Sequence, residues 1–193
     1  MKRTLLFLLS LLLAAMLLAV LPLHGEEAIY DGVVRLHVLA ASDTAADQNE
    51  KIAVRDAILA EYGDLLTSCC DSDEAKALLG EKLEDVCHVA NEALAAAGSE
   101  HRASVSLEKE YFDRRTYGDK TLPAGTYLSL TVTVGEGEGQ NWWCVLYPPL
   151  CTDAAMGETL PKEHFTPAER ELISGDYVIR LRILEWAEAW LGE

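Results

Sequence analysis

The sequence has few basic residues: 16 Lys and Arg stand against 32 Asp and Glu, which gives a formal charge of −16. Nucleic-acid binders need a basic surface for phosphate, so this composition excludes that class of protein. Anionic lipid headgroups would also repel so acidic a domain. Apolar residues make up 50% of the chain and charged residues 25%, as in globular proteins and unlike disordered tails. We therefore expect one folded domain.

Metal-binding patterns are missing as well. The chain has five Cys and five His, but no C-x-x-C pair and none of the paired short spacings of a zinc site. We expect no metal and no other cofactor. Cys144 and Cys151 flank a Pro-Pro turn, so they either form a disulfide or remain two separately buried thiols.

The N-terminus is the first informative segment. Lys2 and Arg3 precede an apolar run from Leu5 to Leu23, an order typical of a secretory signal or of a membrane anchor whose basic end stays in the cytoplasm. The length of the run lies at the border between the two. Residues 1–25 are thus predicted to be a signal peptide or anchor, residues 26–193 an exported domain, and residues 4–23 the sole membrane contact.

Two helices and a strand are predicted in the first half of this domain. Val33 to Leu39 reads as a strand. Thr44 with Asp47 forms a capping box that opens a helix through about Tyr62, with Asp47 and Lys51 paired on its outer side. A second long helix is expected from about residue 73 to residue 97.

The following segment predicts β-structure. Alternation over residues 103–108 and 127–134 indicates two strands, and the glycine-rich loop 135–141 returns the chain into a third, residues 142–147. The last two most simply form an antiparallel hairpin. A short helix is expected at residues 166–175, then a strand at residues 179–183, although a helix also fits there. The fold class is therefore α+β, a mostly antiparallel sheet packed with two long helices.

Candidate catalytic patterns are weak. Gly135-Glu136-Gly137-Glu138-Gly139 places two glutamates where a phosphate would lie, and no helix follows, so a hairpin loop is the better interpretation. Ser42 and Asp43 with His37 could suggest a hydrolase, but no nucleophile elbow surrounds the serine. Ser42 and Asp43 are more simply competitors for the helix N-cap.

The two adjacent tryptophans, Trp142 and Trp143, are the most unusual feature. Neighbouring strand residues point to opposite faces, so one ring can enter the core while the other is left for a surface or a partner. The alternative is that neighbouring elements cover both. Our hypothesis for a partner-binding site comprises the residues of this corner: Asn141, Trp142, Trp143, Tyr147, Pro148 and Pro149.

Several blocks of residues together resemble the stage II sporulation protein R family of endospore-forming bacteria. They are Arg35 to Asp43 with Asp47, Gln48, Lys51, Arg55 and Asp56; Tyr117-Gly118 and Leu122 to Tyr127; and Gly135 to Cys151, with its Asn-Trp-Trp-Cys and Pro-Pro-Leu-Cys runs. We interpret Arg35, Ser42, Asp43, Asp47, Gln48, Arg55 and Asp56 as structural residues of these motifs.

The resemblance implies signalling without catalysis. Proteins of this family are made in the forespore and exported into the space between forespore and mother cell. There they activate a membrane-embedded aspartic protease of the mother cell, which processes the precursor of sigma factor E. Two alternatives from other classes are an exported hydrolase of the cell envelope and a structural envelope protein.

Overall fold

The computed structural model describes residues 2–20, 26–117 and 120–149. The helices are α1 (Lys2–Val20), α2 (Glu26–Gly32), α3 (Ala45–Thr67), α4 (Ser72–Glu81) and α5 (Leu83–Ala96). The strands are β1 (Val34–Leu39), β2 (Ala103–Phe112), β3 (Arg115–Tyr117), β4 (Lys120–Leu122), β5 (Gly125–Val134) and β6 (Asn141–Tyr147). The α+β class is confirmed. The helix and strand predicted at residues 166–183 lie outside the described residues.

The main sheet is mixed, with the strand order β2-β5-β1-β6. β5 is antiparallel to β2 and parallel to β1, while β1 is antiparallel to β6. The predicted hairpin between β5 and β6 is therefore wrong, because β1 lies between them. Alternation shows which face of a strand is buried but does not identify its neighbours.

Helices α3 to α5 bury apolar residues against one face of this sheet. Val34, Leu36 and Val38 of β1 and Leu130 and Val132 of β5 belong to this core. They alternate with residues that face the other way, since strand side chains have a period of two.

The second long predicted helix is two helices, α4 and α5, which meet at Lys82. Leu79, Val86, Ala90 and Leu94 are all buried, so the apolar stripe continues across the break. Periodicity alone could not reveal the break for this reason. Gly80, just before it, weakens the helix because glycine costs about 1 kcal/mol relative to alanine.

The opposite face of the sheet carries a second, smaller core. It contains Ile29, Val33, Phe112, Leu122, Tyr127 and Val145, with Tyr30, Tyr117 and Trp143 packed on it. The small hairpin of β3 and β4 was not predicted from the sequence, nor was α2. Three-residue strands show too little alternation to be recognised.

The apolar N-terminal segment forms helix α1, with exposed side chains such as Leu5 and Phe7, each 68% exposed. Within the described part of the chain, no helix reaches the length and hydropathy that crossing a membrane requires. The interpretation of residues 1–25 as signal or anchor stays a prediction.

Candidate functional site

Trp143 lies on the second face of the sheet, where three side chains surround its ring. The ring stacks on His37 with centroids 3.6 Å apart and meets the Phe112 ring edge-on at 5.0 Å. The guanidinium of Arg115 lies 4.9 Å from the centre of the same indole. Trp143 is half-buried, so neighbouring elements cover much of a ring that the sequence suggested was free for a partner.

Arg35 is fully buried on this same face, at 0% exposure. Its guanidinium carbon lies 4.1 Å from the ring centre of Phe112, 5.0 Å from that of Tyr127 and 5.5 Å from that of Tyr117. Nη2 donates a hydrogen bond to the Tyr117 hydroxyl, whereas Nε and Nη1 find no hydrogen-bond partner in the part of the chain that the structure describes. Burial lowers the pKa of Arg35 from its ordinary value, because an apolar environment penalises the charged form.

A polar chain runs beside the aromatic rings. His37 Nδ1 lies 3.0 Å from a carboxylate oxygen of Glu110, and the Thr131 hydroxyl donates to the same carboxylate at 3.3 Å. Ser129 and Thr131 share a further hydrogen bond of 3.1 Å. Glu110 is thus engaged by His37 and not by Arg35.

Trp142 lies on the opposite face, packed against the helix-covered core. The Arg55 guanidinium of α3 stands 4.2 Å from the centre of its ring, and Arg55 Nε donates to Asp56 at 2.7 Å. Arg55 therefore links helix α3 to the end of β6. The indole N–H of Trp142 is buried and has no hydrogen-bond partner within residues 2–20, 26–117 and 120–149.

The remaining residues of the predicted corner differ in accessibility. Asn141 is exposed and Pro149 half-buried, but Tyr147 and Pro148 are buried. The Tyr147 hydroxyl donates to the Cys69 carbonyl at 3.5 Å, and burial raises the pKa of Tyr147. Cys144 is buried and disulfide-bonded. Cys151 lies outside the described residues, so the Cys144–Cys151 pairing stays a prediction.

The motif residues after β1 form a separate network at the junction with α3. Thr44 caps the helix by accepting a hydrogen bond from the Asp47 amide at 3.2 Å, as predicted. The Ser42 hydroxyl donates to the Asp47 carboxylate, and Gln48 donates to the Ser42 carbonyl at 2.8 Å. Ser42 and His37 thus bond to different carboxylates and do not share the contacts of a catalytic triad.

This network also holds the glycine-rich loop between β5 and β6. Asp43 accepts a hydrogen bond from the Gln140 amide at 2.8 Å, and Lys51 donates to the Gln140 carbonyl at 2.9 Å. Lys51 is buried at 5% exposure, so its predicted pairing with Asp47 on the outer side of α3 is wrong. A side chain at Gly139 would come within 2.3 Å of the Ser42 carbonyl oxygen, which explains the glycine by close packing.

One further group has the residue types of a metal site. Ligand atoms of Asp47, Glu50 and His101 lie within 4.8 Å of one another. His101 Nδ1 is 3.1 Å from a carboxylate oxygen of Glu50 and 3.9 Å from one of Asp47. The histidine itself therefore forms a hydrogen bond with Glu50 and lies at ion-pair distance from Asp47. This group could not be recognised from the sequence, because the histidine is far from the acids along the chain.

Sequence reasoning missed Arg115 and the roles of Phe112 and Tyr117 on the second face. In the sequence, Tyr117 could be recognised only as part of the Tyr117-Gly118 motif of the family. The alternation of β2 ends in Phe112. Because Phe112 is far from Arg35 along the chain, the sequence does not indicate that the two residues are in contact. The face is assembled by the tertiary pairing of β2, β5, β1 and β6, with the β3–β4 hairpin packed on it.

The described domain is a small α+β protein in which the motif residues brace strands, loop and helix against one another. The Stage II sporulation protein R family matches residues 30–156, and the chain belongs to this family, as its motifs had indicated. It is 35% identical over 144 residues to Stage II sporulation protein R of Bacillus subtilis (strain 168), covering 74% of this chain and 64% of that relative. No solved structure matches the chain.

These comparisons support a role in sporulation, in a family that is not a known enzyme family. The chain spans about two thirds of the length of its curated relative, at 64%. The match to the family includes both sheets and helices α3 to α5. It thus covers both the junction network and the aromatic face.

Proposed function

We propose that this protein is an exported signalling protein of sporulation. It activates the membrane-embedded aspartic protease of the mother cell that processes the precursor of sigma factor E. The observation that carries this proposal is the family match over residues 30–156, which include nearly all of the described residues that follow α1. The protein acts from the space between forespore and mother cell, and it remains at the forespore membrane if its apolar segment is not cleaved.

Two features of the chain suit this role: the exposed apolar helix α1 and the acidic charge of the domain that follows it. Leucines along α1 are largely exposed, including Leu6 at 64% and Leu9 at 61%, as is needed for insertion into an export channel or a bilayer. The acidic domain, in a chain with a formal charge of −16, is repelled by anionic headgroups. Membrane contact is therefore confined to residues 4–23, and the protease is reached through protein contacts.

Activation by binding sets a requirement on affinity. A ligand shifts its partner toward an active state only by binding that state more tightly than the inactive one. The contact surface in our proposal is centred on Trp143, which is half-buried on the second face of the sheet, with Asn141 at the start of the same strand and Pro149 just after its end. Catalysis by this protein is not part of the proposal, because Ser42 and His37 are each engaged in separate structural contacts.

The test is reconstitution in non-sporulating cells that contain the membrane protease and the sigma factor precursor. The protein is supplied complete or without residues 4–23, and the size of the precursor is scored. We expect processing only with the complete protein. The absence of processing, with the protein shown to be exported and folded, would contradict the proposal.

The exported hydrolase remains the alternative class. Ser42→Ala and Asp43→Asn proteins distinguish the two, since a hydrolase built on Ser42, Asp43 and His37 would lose its activity with the serine hydroxyl or the aspartate charge. A signalling protein that still folds retains processing. Export is checked in both variants by the amount of protein outside the cytoplasm.

A further inference from the structure

The second face of the sheet gathers positive charge in a strongly acidic protein. Arg35 lies against the Phe112 ring, the edge of Phe112 meets Trp143, and Arg115 covers Trp143. The two guanidinium groups are near enough for the charge of Arg115 to lower the pKa of Arg35, after the larger effect of burial. Two like charges on one aromatic cluster repel each other, at a cost in stability.

Among the described residues, neither arginine forms an ion pair with an acid. The ion pairs there involve other groups, and Glu110, on the same face, is paired with His37. Aromatic rings lie against the Arg35 guanidinium, but two of its donors, Nε and Nη1, are buried with no partner among the described residues. Unpaired buried donors are rare and costly in folded proteins.

We infer that Arg35 and Arg115 form a receptor for a carboxylate carried by an acidic segment of the partner protein. Planar guanidinium groups match carboxylates in geometry, and charge-assisted hydrogen bonds in a site sheltered by rings are the stronger kind. This inference rests on the proposed function, because it names the chemistry by which the partner is recognised. It adds Arg35, Arg115 and Tyr117 to a surface centred on Trp143.

The accessibility of the residues suggests an order of contacts. Arg115 is half-buried and meets the incoming carboxylate first. Arg35 lies deeper, and its Nη2 is held by the Tyr117 hydroxyl. The carboxylate replaces that hydroxyl, so Tyr117 competes with the ligand for Arg35.

The experiment measures binding of a capped hexaglutamate peptide to the full-length protein in detergent, with hexaglutamine as the neutral probe. Tryptophan fluorescence reports binding, because Trp143 lies beneath Arg115. We expect saturable binding of hexaglutamate alone, weakened by salt. Arg115→Gln should weaken it about tenfold, consistent with loss of a charge-assisted contact worth about 1.4 kcal/mol.

Two further variants test whether the peptide binds at Arg35 and Arg115 in particular. Arg114→Gln removes the neighbouring, exposed arginine and should leave binding unchanged. Tyr117→Phe should tighten binding about threefold, which a purely structural tyrosine would not do. The inference is overturned if the wild-type protein shows no saturable binding, or if Arg114→Gln and Arg115→Gln weaken it equally.

The processing assay separates this inference from the proposed function. If wild-type protein triggers processing and a folded Arg115→Gln protein triggers it equally well, the carboxylate receptor is wrong and the signalling function stands. If wild-type protein does not trigger processing, the signalling function fails. The peptide titration then decides on its own whether the face binds carboxylates.

Discussion

The two faces of the central sheet bury their residues by different means. On the helix-covered face, aliphatic side chains such as Leu36 and Leu130 pack against α3 to α5. On the other face, Arg35, His37 and Ser129 are buried among aromatic rings. Aliphatic packing is favourable without any partner of matching charge, whereas a buried guanidinium is costly unless its donors are satisfied. The first face is thus built by apolar packing, whereas the second combines a smaller apolar core with buried polar groups that packing alone does not require.

The largest expected difference between the faces is in stability. Leu130→Ala should lower the free energy of unfolding by about 3 kcal/mol, because it opens a cavity in a core where Leu130 is fully buried. Thr131→Ala, at the next position and on the opposite face, is the matched control and should cost less than about 1 kcal/mol. Urea unfolding measures both. Equal losses of unfolding free energy in the two variants would mean that both faces contribute equally to stability.

Replacing the tryptophans one at a time compares the faces at β6. Trp142→Ala and Trp143→Ala should each lower stability by about 2 kcal/mol, since both rings are half-buried. Only Trp143→Ala should abolish processing in the reconstituted assay, because Trp143 lies between His37 and Arg115. A folded Trp143→Ala protein with full processing would remove Trp143 from the contact surface.

Arg35→Met tests whether the buried charge stabilises the fold. The substitution keeps an unbranched side chain and leaves no carboxylate unpaired, so we expect stability within about 1 kcal/mol of the wild type. Processing should nevertheless fall. A loss of several kcal/mol on urea unfolding would show that Arg35 is a structural residue of the second core.

The smallest effect concerns alkaline pH. Burial raises the pKa of Tyr62 and Tyr147 on the helical side and of Tyr117 on the second face. Unfolded tyrosines lose their protons near pH 10, before the folded ones, so stability is retained below about pH 10 and falls above it. Urea unfolding at pH 9.5 and 10.5 should show this fall in the free energy of unfolding. In the Tyr117→Phe protein the fall between the two pH values should be smaller, by less than about 1 kcal/mol. An identical fall in that variant would exclude Tyr117 as a contributor.

Sequence reasoning was most successful where local rules apply. Thr44 caps α3 as predicted, and β1, β5 and β6 lie close to the expected ranges, because capping and alternation are properties of neighbouring residues. Strand order was wrong because nothing local in β5 or β6 indicates that β1 lies between them. The aromatic face escaped prediction for the same reason, since Arg35 and Tyr117 meet only after the strands pair.

The position of β1 in the sheet also affects the order in which the domain can assemble. β1 is the first strand to be synthesised, yet both of its neighbours come from residues 125–147. Pairing such as Val34 with Leu128 closes a loop of more than 90 residues, and contacts this distant slow folding. The central strand stays unpaired until most of the domain has been made. The pairing at the centre of the sheet is therefore among the last contacts that the growing chain can make.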